Sequence, residues 1–166
     1  MLITVNGVPA HVLLVHAVVV LVPLSALLVV ITVLWPAARQ RLGFITPLVT
    51  LVAVGFIPLT TSAGGWLQQH VPQTPQLRHH VELGGSLTVW AVLLLLAAAL
   101  YWLVPFAVAR GWSVPQFATV KWVQPVVGAV AVVLAVVCVV QVYRIGDSGA
   151  KAAWHGRVAG SATSPR

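Results

Sequence analysis

The stretch HVLLVHAVVVLVPLSALLVVITVLW, residues 11–35, decides the fold class. It carries no Lys, Arg, Asp or Glu, and its apolar residues are continuous rather than alternating with polar ones. About 20 apolar residues in a helix cross the hydrocarbon core of a bilayer, whereas the residues of a membrane β-strand alternate. The stretch therefore predicts a spanning helix that ends at Pro36. No basic segment precedes it, so we expect it to remain in the mature protein.

Composition extends this prediction to the whole chain. Of the 166 residues, 60% are hydrophobic and 7% are charged, whereas soluble domains contain roughly 25% charged residues. The net charge of +7 does not indicate nucleic-acid binding, because the cations fall in loops, at segment ends and in the tail. The single cysteine, Cys138, excludes an intrachain disulfide and a thiolate metal site. We therefore expect a multi-pass protein of the cell membrane that contacts the lipid bilayer.

Three further apolar segments, at about 44–63, 80–104 and 119–143, are long enough to cross a bilayer. With the first segment they predict an all-α membrane protein, a four-transmembrane-helix bundle over residues 1–150. A polar C-terminal tail over residues 151–166 follows, and its last ten residues are expected to be disordered. Pro105 is expected to end the third segment, and Pro23 and Pro58 to kink the first and second. We find no internal repeat in the sequence.

The histidines and the acidic residues are concentrated on one side of the predicted bundle. By the four-span topology, both acidic residues and all six histidines share one membrane face, whereas the opposite face carries Arg and Lys side chains. These residues are Glu82, Asp147, His11, His16, His70, His79, His80 and His155. The histidine face carries five cations and the other face four, so the positive-inside rule does not decide the orientation.

The spacing of the histidines limits how they act together. His11 and His16 are separated by about 7.5 Å along a helix and about 140° around it, so each needs a partner from another helix. A polar ring at the depth of His16 is expected to face the bundle. His80 opens the third segment, and Gly84 one turn later leaves room for a helix or a flat ligand. The sequence thus predicts a cofactor or metal site formed by His11, His16 and His80 and lined by Thr60, Thr61, Gly84 and Asp147.

Interfacial interpretations stay open for the same residues. Each histidine near the membrane edge is also explained by contact of its ring with water, most simply at His70 and His155, whereas His79 fits either interpretation. His11, close behind Pro9, is also explained by a hydrogen bond to the helix N-terminus. Glu82 in the first turn of a helix also fits the helix dipole. Asp147 is equally explained as the cap of a turn or as the partner of Arg144.

Four stretches in this order resemble a bacterial, mainly actinobacterial, family of four-helix membrane domains of unknown function. They are PAHVLLVH, PLTTSAGGWL, RHHVELGGSL and VYRIGDSGAKAAW, within about residues 8–155. The resemblance implies that His11 and His80 recur in the family and that His16 is matched in part of it. Some relatives are fused to Rieske-type or cytochrome-like domains, which implies membrane redox work. Gly65 and Gly85 stand where relatives often carry acids, so the resemblance also implies an altered polar site.

Three functions follow from these observations. The first is electron transfer in the membrane by a b-type haem held by one histidine from the first span and one from the third. The alternative is a non-catalytic accessory subunit or scaffold of a larger, for example respiratory, membrane complex that contacts other membrane or redox subunits. The third, a metal-linked or proton-linked transporter, ranks last because few polar residues lie at mid-membrane depth. We expect no catalytic activity of the chain itself, since soluble-enzyme motifs such as GxGxxG and HExxH are absent from the sequence.

Overall fold

The computed structural model describes residues 4–5 and 7–154, with the side chains of residue 7 and residues 9–154. Strands β1 (Thr4–Val5) and β2 (Val8–Pro9) form a short antiparallel pair before the first helix. The helices are α1 (Ala10–Leu34), α2 (Pro36–Leu42), α3 (Ile45–Gln68), α4 (Pro75–Ala109) and α5 (Val123–Trp154). A 3₁₀ turn, Gln116–Thr119, lies between α4 and α5.

Four of these helices, α1, α3, α4 and α5, are long and apolar enough to cross a membrane. The predicted all-α bundle with four spanning helices is therefore confirmed. Between 28% and 33% of the most apolar window of each helix is buried inside the bundle. The remaining Val and Leu side chains cover the outside, where they are compatible with lipid contact.

Helices α3, α4 and α5 run further than predicted at the histidine end. Helix α3 continues to Gln68, α4 begins at Pro75, and α5 continues to Trp154. With 35 and 32 residues, α4 and α5 are about 52 Å and 48 Å long, which exceeds a bilayer of about 40–45 Å including headgroups. Part of the predicted tail is thus helical to Trp154. The predicted disordered residues, 157–166, lie outside the described residues.

Two prolines at segment ends behave differently. Pro36 follows the end of α1 and begins α2, as its missing N–H allows at a first helical position. The prediction that Pro105 ends its segment is wrong, because Pro105 lies inside α4. Proline frees the carbonyl four residues earlier, and in a membrane another helix must satisfy it. Here the side-chain Nε2 of Gln124 on α5 donates to the carbonyl of Tyr101 at 2.9 Å.

The four spanning helices form a square. Helix α1 packs against α3 and α5, and α4 packs against the same two helices. Helices α1 and α4 therefore face each other across one diagonal, and α3 and α5 across the other. Each connection along the chain joins antiparallel neighbours.

The core consists of one stripe from each helix with a spacing of three or four residues. Many stripe residues are small, which lets helices approach closely in lipid. The stripes contain Val18, Val22, Ala26 and Val29 of α1; Ala53 and Ile57 of α3; Leu87, Ala91, Leu94 and Ala98 of α4; and Ala131, Ala135, Cys138 and Val142 of α5.

Most buried hydroxyls in the spanning helices are satisfied within their own helices. Ser25 donates to the carbonyl of Leu21 at 2.7 Å, and Thr50 donates to that of Thr46 at 2.8 Å. Thr32 does the same toward Leu28. These hydroxyls relieve the cost of burying a polar group without forming a polar path across the bundle.

The end without histidines is held by a cation and aromatic rings. Arg39 is half-buried and donates from Nη1 to the hydroxyl of Tyr101 at 2.9 Å, with its guanidinium 5.6 Å from that ring. Trp102 stacks on Phe106 at 5.0 Å, and the guanidinium of Arg110 lies 4.8 Å from the Phe106 ring. Arginines and aromatic rings at one level are typical of a membrane–water interface.

Candidate functional site

The core stripes bring two histidines together at the end of the bundle where α1 and α4 begin. His11 lies seven residues before Val18, and His80 lies seven residues before Leu87. Seven residues are close to two helical turns, so each histidine continues the inner stripe of its helix. Because α1 and α4 are diagonal, the two rings approach across the bundle axis. Their centroids are 6.5 Å apart and their planes are inclined by 82°.

His11 is fixed by α3. Its Nδ1 donates to the main-chain carbonyl of Thr60 at 2.9 Å. The ring also rests against Gly64, where an added Cβ would lie 2.9 Å from Nδ1 and 3.0 Å from Cε1. Only a glycine at this position lets the imidazole lie so close to α3.

His80 is fixed in the same way by α5. Its Nδ1 lies 3.1 Å from the carbonyl of Ile145 and 3.2 Å from the buried hydroxyl of Ser148, which itself donates to Ile145 at 2.9 Å. An added Cβ on Gly149 would lie 3.0 Å from Cε1 of the ring. The imidazole is thus held by hydrogen bonding on one edge and by a glycine below.

The two halves of the site are equivalent. In each half a histidine near the start of one helix bonds to a carbonyl of the next spanning helix, and the glycine beneath the ring lies four residues after that carbonyl. The pairs are Thr60 with Gly64 and Ile145 with Gly149. The equivalence is not visible as a repeat in the sequence, because it concerns only these few positions.

These hydrogen bonds determine which nitrogen is free for chemistry. A carbonyl accepts only from a protonated nitrogen, so Nδ1 carries a hydrogen in both rings, and in the neutral imidazole Nε2 is then the nitrogen with the lone pair. Histidines that bind metals commonly donate their second N–H to a carbonyl in this manner. Within the described ranges no group of three or more His, Cys, Asp and Glu side chains could hold a metal ion. Among the described residues, the arrangement thus brings two imidazoles together and adds no third metal-ligating side chain.

The structure separates the remaining predicted site residues from this pair. The prediction that His16 faces the bundle is wrong: its ring is exposed and its Nδ1 bonds to the carbonyl of Val12 in its own helix at 2.6 Å. The physical reason is the five-residue spacing, because His11 occupies the inner face and His16 points about 140° away from it. Thr61 is also exposed, and its hydroxyl bonds to the carbonyl of Pro58.

Thr60, Gly84 and Asp147 differ in their relation to the pair. Thr60 contributes its carbonyl, while its hydroxyl donates to Phe56 in α3 at 2.7 Å. Gly84 is half-buried one turn after His80, and an added Cβ there would meet no atom within 4 Å. Asp147 neither caps a turn nor pairs with Arg144, because α5 continues through it and its carboxylate bonds to Lys151 at 2.7 Å on the exposed surface.

The other histidines do not join the site. His70 is exposed, bonds to the carbonyl of Trp66 at 2.8 Å and stacks on that indole with centroids 4.1 Å apart. His79 is exposed beside His80. His155 lies outside the described residues.

Sequence reasoning did not identify four positions that hold the rings. These are Gly64, Ile145, Ser148 and Gly149. Gly64 was detectable in principle, because it continues a stripe of small or buried residues in α3 at spacings of three and four, namely Thr46, Thr50, Ala53, Ile57 and Thr60. Ile145 acts through its backbone, which no side-chain pattern reports.

Fold and site together define a multi-pass, all-α membrane bundle with paired histidines at one end. Comparisons of the chain with protein-family models, curated proteins and solved structures find no match. The resemblance to the actinobacterial membrane family stays a prediction.

Proposed function

We propose that this protein is a small haem protein of the cell membrane, in which His11 and His80 are the axial ligands of a b-type haem used for electron transfer. The observation that carries the proposal is the facing pair of rings, each anchored through Nδ1 to a carbonyl. That anchoring leaves Nε2 of both rings as the ligand atom. Axial ligation by histidines from facing helices is common in helical bundles.

The number of ligands favours haem over a bare metal ion. Structural zinc takes four protein ligands and catalytic zinc three. The porphyrin supplies the equatorial nitrogens of haem iron, so two imidazoles complete the coordination. Among the described residues, no third His, Cys, Asp or Glu side chain completes a metal-binding group with His11 and His80.

The separation of the rings also supports haem. Two imidazoles on opposite sides of one ion, each with a nitrogen about 2 Å from it, have centroids roughly 6 Å apart. The observed separation of 6.5 Å is close to this value. Unfilled space above Gly84, one turn from His80, is suited to the edge of a flat ligand.

Bound haem would supply one-electron chemistry, and the protein would supply orientation and tuning. The carbonyls of Thr60 and Ile145 fix the tautomers and the orientation of the rings. Gly64 and Gly149 let the rings lie against the helices, so both planes are set by packing. Both imidazoles are half-buried in the bundle, and the burial of a haem and its ligands influences the reduction potential.

Absorption spectra of the purified chain test this proposal. After haem supplementation in detergent, we expect a bis-histidine low-spin spectrum that His11→Ala and His80→Ala each abolish. The exposed His16 provides the matched control, since His16→Ala is expected to leave the spectrum unchanged. Because the ring planes are inclined by 82°, we also expect the strongly anisotropic ferric electron paramagnetic resonance signal of perpendicular axial imidazoles. A colourless preparation would contradict the proposal, as would a loss of the haem spectrum in His16→Ala equal to that in His11→Ala and His80→Ala.

A second candidate function is an accessory subunit of a larger membrane complex. It is supported by the projection of α4 and α5 beyond the expected bilayer thickness, which presents Glu82, Asp147 and Lys151 on exposed helix ends. Crosslinking in native membranes followed by mass spectrometry tests it. A reproducible redox-protein partner supports this role, whereas recovery of the chain without crosslinked partners opposes it.

Transport has less support. A path needs polar groups that line it across the membrane, but buried hydroxyls such as Ser25 and Thr50 are bonded within their own helices. Metal uptake that depends on His11 and His80 would revive this function.

A further inference from the structure

A second polar site lies on the outer side of α4 and α5, at the end where these helices project. A groove between them is lined by His79 and Leu83 of α4 and by Arg144, Asp147, Ser148 and Lys151 of α5. We propose that this groove binds the phosphate of an anionic phospholipid headgroup. The site is distinct from the histidine pair, although Ser148 forms a wall of the groove and also contacts His80.

The charges in the groove favour an anion. Two cationic side chains, Arg144 and Lys151, face one carboxylate, Asp147. Lys151 is bonded to that carboxylate at 2.7 Å, and within residues 7–154 this is the only salt bridge. Arg144 thus keeps its guanidinium charge without a carboxylate partner among the described residues.

The start of α4 adds to this attraction. His79 lies in the second turn of α4, which begins at Pro75. Partial positive charge at a helix N-terminus stabilises nearby anions. The groove therefore has the guanidinium of Arg144 on its α5 wall, and an imidazole and the start of a helix on its α4 wall.

Apolar surface beside the groove indicates a lipid rather than free phosphate. Leu83 lies in its wall, and α5 exposes Val136, Val139 and Val140 one to two turns deeper into the predicted bilayer. If Arg144 holds the phosphate of a phospholipid headgroup, the acyl chains of that lipid would run along these valines. Basic pockets between transmembrane helices at the membrane edge bind anionic headgroups in this way.

Native mass spectrometry of the full chain in detergent tests the proposal with defined lipids. We expect phosphatidylglycerol to bind more tightly than phosphatidylcholine of the same acyl composition. One cation near a membrane surface contributes about 1 kcal/mol, which corresponds to about fivefold in affinity. Arg144→Gln is therefore expected to weaken phosphatidylglycerol binding about fivefold.

Two variants separate this site from general charge and from misfolding. Arg78 is exposed on the same helix end but outside the groove, so Arg78→Gln is expected to leave binding unchanged. Asp147→Asn removes the carboxylate and frees Lys151, so it is expected to strengthen binding. Because both side chains of this pair are exposed, the thermal midpoint of Asp147→Asn is expected to stay constant.

The remaining outcomes oppose the proposal. Equal affinity for the two lipids would overturn it, as would an equal loss in Arg78→Gln and Arg144→Gln. Displacement of phosphatidylglycerol by inorganic phosphate at comparable concentration would assign the groove to a soluble anion instead. Failure of haem binding would not affect these results, since none of the variants alters His11 or His80.

Discussion

Gly64 and Gly149 occupy equivalent positions in the two halves of the bundle, one beneath His11 and the other beneath His80. Each follows by four residues the carbonyl that accepts from the imidazole above it. Two diagonal helices thus contribute the rings, and the other two contribute the surfaces that hold them. The geometry of the pair is a property of all four spanning helices.

Alanine at either glycine is expected to displace a ring. A Cβ at position 64 would lie 2.9 Å from Nδ1 of His11, so the imidazole must leave the carbonyl of Thr60 or the helices must separate. Overpacking of this kind costs about 1–3 kcal/mol. We expect Gly64→Ala and Gly149→Ala to lower the free energy of unfolding by that amount and to weaken haem binding.

The neighbouring glycines provide matched controls for that experiment. A Cβ on Gly65 or Gly146 would meet no atom within 4 Å. Alanine is favoured over glycine inside a helix by about 0.5–1 kcal/mol, so Gly65→Ala and Gly146→Ala are expected to be neutral or stabilising. Equal losses in the free energy of unfolding for Gly64→Ala and Gly65→Ala would contradict the contact between Gly64 and the His11 ring.

Gln124 is expected to be required for stability, because Pro105 has no N–H to bond to the carbonyl of Tyr101. Gln124→Leu leaves the carbonyl of Tyr101 without its donor, which costs about 1–3 kcal/mol when the group is buried. Pro105→Ala restores an N–H within α4 that bonds to the same carbonyl. In a double-mutant cycle, we expect Gln124→Leu to cost much less in the Pro105→Ala background. Additive effects would show that the two residues do not act on one carbonyl.

Tyr101→Phe is expected to destabilise the end opposite the histidines. The substitution removes the acceptor of Arg39, and hydrogen bonds to charged groups contribute about 1.5–3 kcal/mol. Tyr101 is 7% exposed and Tyr143 is 75% exposed, so Tyr143→Phe is the control and is expected to have little effect. Unfolding in mixed detergents measures both variants. The haem spectrum is expected to stay unchanged, since Tyr101 lies at the other end of α4.

Gln141→Leu is expected to be tolerated or stabilising. Within the described part of the chain, Oε1 of Gln141 is the only buried side-chain polar atom without a hydrogen-bond partner. Its Nε2 donates to Ser86 at 3.3 Å, but that hydroxyl already bonds to Leu83 at 2.7 Å. Removing an unsatisfied group is expected to raise stability by up to about 1 kcal/mol. A loss comparable to that of Gln124→Leu would indicate that Oε1 has a partner such as water.

Most of the fold was predictable because composition determines it. Continuous apolar segments predict the four spans, and short connections predict antiparallel neighbours. The helix ends were not predictable from hydropathy, because α4 and α5 continue through polar stretches such as 75–79 and 144–154. Near these parts His80 of α4 bonds to Ile145 of α5, a contact between the two helices that hydropathy does not report.

The histidine pair was predictable only in part. His11 and His80 were expected to act together, and the structure brings them into contact. The inner face of α1 could not be identified from polarity, because nearly every residue around this helix is apolar and lipid replaces water on its outer side. That limitation explains the wrong orientation predicted for His16. Whether the pair binds haem stays a prediction for the spectra to test.

The arrangement of anchors has a consequence for biogenesis. His11 is secured inside the hairpin of α1 and α3, and His80 inside the hairpin of α4 and α5. Each hairpin can insert from the translocon with its own imidazole already oriented, and only the docking of the two hairpins brings the imidazoles together. A haem bound as proposed would link the two hairpins, so its loading would report that assembly is complete.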